Sequence, residues 1–212
     1  MSEAERREWA RRWTEGDYHA RSEPTSLVSA WAWRLPKGRA LDMACGNGRN
    51  ALHLAEMGFT VDAVDIAPEA LKLARDAARE RGLAVHFILA DLDEYPLPAE
   101  TYDLITISFY MNRELIPRIK DALKPGGFVL HEQHYRTDCN VGGPRDCQFR
   151  LRPNELLHLF LDFRVRYFSE FLEEEDGRPI AVERLVAQKP PASDEPLPPA
   201  NQGDAQPTST TG

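Results

Sequence analysis

The tightest constraint on this chain is a glycine loop, Gly46-x-Gly48-x-x-Ala51, set between an apolar run at residues 39–44 and an amphipathic stretch at 47–57. Glycines in such a loop permit a tight turn and let the backbone approach a ligand closely. A strand, a loop of this kind and a helix together form the opening unit of a nucleotide-binding α/β sheet. Asp65 follows Gly48 by 17 residues, at the end of the next apolar stretch. That spacing suits a carboxylate that accepts from ribose hydroxyls.

The same alternation continues downstream. Residues 59–65 have the apolar and β-branched content of a strand. Pro68 opens a helix in which Leu71, Ala74 and Ala78 recur at helical spacing, with Gly82 as its stop. Strands are predicted at 85–90, 102–108 and 128–133, a helix at 113–123, and a turn at Lys124-Pro125-Gly126-Gly127. A short helix follows Pro153, and two strands at 163–173 and 180–188 are joined by an Asp176-Gly177 turn signal. Two helical pieces, 4–13 with Trp9 and Trp13 on one face and 25–34, precede the pattern. The expected fold is α/β and Rossmann-like: a seven-stranded, mostly parallel sheet with helices on both faces. The closing hairpin makes one strand antiparallel. Ligands of such sheets bind outside the carboxyl ends of the strands, where strand order reverses.

Charge and composition narrow the partners. The 212 residues carry a net charge of −8, which argues against a general nucleic-acid binder, since that needs a basic footprint. Residues 190–212 hold 6 of the 16 prolines, three acids and no base, leaving −5 on the rest. This composition reads as a disordered acidic tail. Three organising units are expected: an N-terminal helical lid at 1–35, a ligand-binding core at 36–189 and the tail at 190–212. Three cysteines without a C-x-x-C pair fit reduced thiols and a cytoplasmic protein. No signal peptide, membrane span or membrane partner is expected. His131, His134, Cys139 and Cys147 lack the spacing of a zinc module, and no metal is expected.

Asp42 helps to choose the cofactor. It lies four residues before Gly46, and a carboxylate there repels the pyrophosphate of NAD. The sulfonium and ammonium of S-adenosyl-L-methionine are attracted instead. The alternative is a structural acid satisfied by nearby backbone N–H groups. Asp91 and Leu92 follow the third strand. An acid there can accept from an exocyclic adenine amine, while the next backbone N–H donates to the ring; a loop-capping role is the alternative.

Taken in order, Leu41-Asp42-Met43-Ala44-Cys45-Gly46-Asn47-Gly48-Arg49-Asn50, the stretch from Val61 to Leu71, Ala90-Asp91-Leu92, Tyr102-Asp103-Leu104-Ile105 and Leu123-Lys124-Pro125-Gly126-Gly127 resemble the motifs of class I S-adenosylmethionine-dependent methyltransferases. Within them the chain looks closest to the tellurite-resistance methyltransferase-like group. That likeness is carried by Trp9-x-x-Arg12-Trp13, the run from Cys45 to Ala51, Phe109-Tyr110-Met111-Asn112-Arg113 and Leu151-Arg152-Pro153-Asn154-Glu155. The resemblance implies that Gly46 and Gly48 back the methionine portion, that Asp65 holds the ribose, and that Asp91 and Leu92 flank the adenine. Cys45, Asn50, Ile66 and Ser108 complete the expected cofactor wall.

Methyl transfer from a sulfonium is an in-line displacement that needs the partners aligned at near-attack distance. A soft anion such as a thiolate, or a reduced tellurium or selenium oxyanion, needs little base help, whereas an amine or hydroxyl needs a base. Tyr110, Arg113 and His134 are the candidate catalytic residues: Arg113 to hold an anion, His134 to act as a base, Tyr110 to shape the wall. Trp9, Arg12, Trp13, Tyr18 and His19 are candidates for a lid. A small-molecule methyl acceptor and a monomer or homodimer are expected. An NAD-dependent oxidoreductase and a non-catalytic S-adenosylmethionine-binding domain are the competing classes.

Overall fold

A computed structural model describes residues 3–15, 21–144, 146–175 and 177–192. Its helices are α1 (Glu3–Thr14), α2 (Ser26–Trp31), α3 (Arg49–Glu56), α4 (Pro68–Arg81), α5 (Ile116–Ala122) and α6 (Glu155–Leu159). Its strands are β1 (Arg39–Met43), β2 (Thr60–Asp65), β3 (Val85–Leu89), β4 (Tyr102–Ser108), β5 (Leu123–His134), β6 (Arg164–Glu175) and β7 (Arg178–Gln188). The tail from residue 193 onward, and the lid candidates Tyr18 and His19, lie outside the described residues.

The seven strands form one sheet in the order β3-β2-β1-β4-β5-β7-β6. Pairing is parallel from β3 through β5 and antiparallel from β5 to β7 and from β7 to β6. β7 is therefore the single strand of reversed direction, as the Asp-Gly turn signal implies. Alternating side chains sort the core to the two faces. Leu41, Met43, Ile105 and Val129 point one way and pack with Ile116 and Ile119 of α5 and Leu156 of α6. Ala40, Val61, Ala63 and Leu130 point the other way and meet Leu27 and Val28 of α2, Leu54 of α3 and Leu71 of α4.

Two expectations are corrected. Lys124-Pro125-Gly126-Gly127 is not a free turn but lies inside the long strand β5. Tyr102 pairs with Leu123 and Leu104 with Phe128, so the extra residues form a bulge in the ladder. Gly127 is needed there because a Cβ would stand 2.9 Å from the Lys124 carbonyl and 3.1 Å from that of Tyr102. The helix expected over 113–123 divides into a 3₁₀ turn (Arg113–Leu115) and α5, with Pro117 in the first helical turn of α5.

β1 is flanked by β2 on one side and β4 on the other, so strand order reverses between β1 and β4. The carboxyl ends of these two strands flank the expected binding crevice.

Candidate active site

The glycine loop leaves β1 through Ala44, whose φ is +53°, and Gly46, at +55°. Gly48, at φ +79°, is the residue before the first turn of α3. This left-handed geometry is cheap only for glycine. Packing adds a second demand: a Cβ on Gly48 would meet that of Ala74 in α4 at 2.9 Å, and one on Gly46 would stand 3.1 Å from the Trp13 ring. The two asparagines of the loop bind the N-terminal segment to it. Asn47 Nδ2 donates to the Arg21 carbonyl at 2.7 Å, and Asn50 Oδ1 accepts from the Thr25 N–H at 2.9 Å.

Above the carboxyl ends of β1 and β4 lies a cavity of about 870 Å³, its open mouth included. Its floor is formed by Cys45, Gly46, Asn50 and Asp65. Ile66, Leu92, Ser108 and Tyr110 continue the wall, and Trp9 and Trp13 of α1 close one side. Eight of the thirteen residues proposed from sequence thus come together around one space.

Asp65 is buried, and burial raises its pKa despite the backbone N–H bonds it accepts. Its Oδ2 takes the Gly46 N–H at 2.7 Å and its Oδ1 the Ala67 N–H at 2.9 Å. Each oxygen keeps acceptor capacity for a diol. The Asn50 amide is committed to protein: its Oδ1 accepts from Thr25 and its Nδ2 donates to Ser108 Oγ at 3.1 Å. Ser108 in turn donates to Glu132 Oε1 at 3.1 Å, and Glu132 Oε2 accepts from Arg184 Nε at 3.0 Å. Arg184 also donates to Glu173 at 2.6 Å. The chain of bonds leads from α3 across the cavity wall to the last two strands.

That wall divides the cavity from a second one. Arg21, Arg49 and Phe109 belong to both, and the second is lined further by Thr25, Glu132 and Arg184. Phe109 holds φ +58° at the end of β4, a strained position for a bulky side chain.

Five of the sequence candidates stand elsewhere. The Asp42 carboxylate lies beneath the loop, 1% exposed, and accepts the Ala51 N–H at 3.0 Å. Burial pushes its pKa up to about 7. It is the backbone-satisfied structural acid, not a wall of the cavity. Gly48 packs against α4. Asp91 is buried, and its Oδ1 accepts the Asp93 N–H at 3.0 Å, which closes the turn after β3. Arg113 forms a two-pronged pair with Glu155, at 2.5 and 3.0 Å, and also donates to the Gln148 and Arg150 carbonyls. These bonds lock the loop before α6 and leave Arg113 away from the cavity. His134 is buried behind the wall, its ring 4.9 Å from that of Phe109. A Cβ on Gly143 would touch the imidazole at 2.9 Å, so that glycine lets the loop close over it.

Sequence reasoning gave no role to Arg49 or Arg184. A signal for Arg184 was present: Glu183 and Arg184 interrupt an otherwise apolar strand. Arg49 stood in the open, inside the Gly-Asn-Gly-Arg-Asn motif.

Comparison with known proteins agrees with this geometry. Residues 40–127 match the methyltransferase domain family. The probable S-adenosyl-L-methionine-dependent methyltransferase TehB of Haemophilus influenzae is 29% identical over 143 residues, which is 64% of this chain and 49% of that protein. The demethylmenaquinone methyltransferase of Thermus thermophilus is 38% identical over 104 residues, 46% of this chain and 47% of that one. The chain thus spans about half the length of these curated relatives. The crystal structure of TehB from Haemophilus influenzae has the same fold, with a TM-score of 0.70 at 23% identity, covering 85% of this chain and 67% of that chain. The cofactor of this family is S-adenosyl-L-methionine. No helix among the described residues is long and apolar enough to cross a membrane.

Proposed function

We propose, from the match of residues 40–127 to the methyltransferase domain family and the likeness to S-adenosyl-L-methionine-dependent methyltransferases, that the chain transfers the methyl group of S-adenosyl-L-methionine to a small-molecule acceptor, with a soft nucleophile as its favoured class. The observation that carries this reading is the pair of cavities meeting across Ser108, Phe109 and Glu132. The first fits the cofactor. Asp65 offers carboxylate lone pairs at the ribose position, Leu92 supplies an apolar wall for the adenine, and the absent side chain of Gly46 leaves room beside Trp13. When bound, the cofactor supplies a methyl group on a positively charged sulfur.

The protein's part is alignment and exclusion of water. Trp9 and Trp13 cover the cofactor side, and Phe109 stands at the passage to the second cavity. Base help at the passage is scarce. Glu132, bonded to Ser108, is already paired with Arg184, and His134 is stacked behind Phe109. A thiol, or a tellurite- or selenite-type anion, suits this wall better than an amine.

The test is calorimetric titration with S-adenosylhomocysteine, followed by an acceptor panel of thiols, tellurite, selenite, phenols and amines, read as S-adenosylhomocysteine release. Binding with turnover on a soft acceptor is expected. Binding without turnover on any acceptor would leave a cofactor-binding domain and refute the enzyme reading.

A further inference from the structure

β6 closes one side of the sheet and pairs with β7 alone. It runs for 12 residues, about twice the usual strand length. Between Val165 and Glu174 its backbone bonds only to β7 among the described residues. An edge of that length presents a row of N–H and C=O groups to any strand that can lie beside it. Its side chains are not those of a purely polar edge: Val165, Tyr167 and Leu172 are exposed.

Charge decides which strand fits. β6 is basic at its start, with Arg164 and Arg166, and acidic at its end, with Glu173 and Glu174. A second copy laid parallel sets like charges side by side, which is destabilising. Laid antiparallel about Ser169, it sets Arg164 opposite Glu174 of the partner subunit, and the two-fold axis repeats that pair at the other end. Tyr167 then faces Phe171 of the partner subunit, an aromatic cross-strand pair. The chain's own acidic tail is a poorer occupant. Residues 190–212 hold 6 of the 16 prolines, and proline brings no N–H to a ladder.

We propose that β6 pairs antiparallel with β6 of a second copy, joining two seven-stranded sheets edge to edge across a two-fold axis. The contact is isologous and uses up the strand, so assembly along this edge stops at two. The inference goes beyond the methyltransferase reading and does not depend on it. It still bears on the site, because Glu173 and Glu174 line the second cavity. The pairing brings a guanidinium of the partner subunit to the rim of that cavity.

Sedimentation equilibrium of the full chain at micromolar concentrations is the test, and a reversible dimer is expected. Arg164→Glu and Glu174→Arg each bring like charges together at both ends of the pairing. Each is expected to raise the dimer dissociation constant at least about tenfold. The double variant restores the pairs in exchanged order and recovers the dimer; that rescue also certifies that neither single variant failed by unfolding. Hydrogen exchange gives a second readout: amides of β6 lose protection on dilution, and those of β1 do not. A monomer at every concentration overturns the proposal. If its β6 amides exchange freely, the charges serve only to blunt the edge; if they stay protected, the chain's own tail covers it. A dimer indifferent to both charge reversals sits on another surface and overturns the proposal equally.

Discussion

Asp42→Asn is the most informative single change beneath the site. The carboxylate is 1% exposed and accepts one backbone N–H, from Ala51. Burial lifts its pKa from 3.8 to about 7, and the neighbouring Asp65 charge adds to the rise while Arg49 and the Ala51 bond oppose it. The folded protein therefore holds a proton that the unfolded chain releases near pH 4. Below that pH both states are protonated and nothing is lost. Stability falls as pH rises from about 4 to about 7 and levels off above. Three pKa units correspond to about 4 kcal/mol as a ceiling; relaxation of the surroundings brings the expected cost to about 2 kcal/mol. Asparagine keeps an oxygen for the Ala51 N–H and cannot ionise. Relative to wild type, Asp42→Asn should gain about 2 kcal/mol between pH 5 and pH 8, or roughly 4–8 °C in Tm for a domain of this size. The assay is scanning calorimetry of ligand-free protein at half-unit pH steps. Glu183, also lifted to about 7 by burial, tilts the wild-type curve the same way, but it is common to both proteins and cancels in the difference. A Tm difference that is flat from pH 5 to pH 8 would refute the reasoning: the buried carboxylate would then be ionised at no cost.

Two further changes test the division between structure and site. Arg113→Ala removes a two-pronged pair and strands the largely buried Glu155; about 2 kcal/mol of stability should be lost, with cofactor affinity unchanged in titrations at a temperature where the variant is folded. Gly48→Ala places a Cβ 2.9 Å from that of Ala74 at φ +79°. It should cost about 3 kcal/mol through strain and overpacking, read as a fall in the denaturation midpoint with urea.

The sheet was legible because its signals are local. Pro68 and Gly82 bound α4, and the Asp176-Gly177 signal announced the one reversed strand, β7. The bulge in β5 was not legible, since Pro125-Gly126-Gly127 reads as a turn until Leu123 is seen to pair with Tyr102. The same distinction runs through the site. The order of motifs placed Gly46, Asp65, Leu92 and Ser108 at strand ends around one space. What it could not supply was the partner of each charged group. Arg113 meets Glu155 across 42 residues and Glu132 meets Arg184 across 52. Such pairs decide whether a polar side chain is spent on the fold or left for a ligand. Asp42 and Arg113 looked functional because they are charged at strand ends, and both are spent. In a fold where buried polar groups are almost always satisfied, the chemistry of the site belongs to groups whose bonding the chain leaves incomplete. By that criterion Asp65, whose two oxygens accept one backbone N–H each from Gly46 and Ala67 and keep lone pairs to spare, stands apart from Asp42 and Arg113.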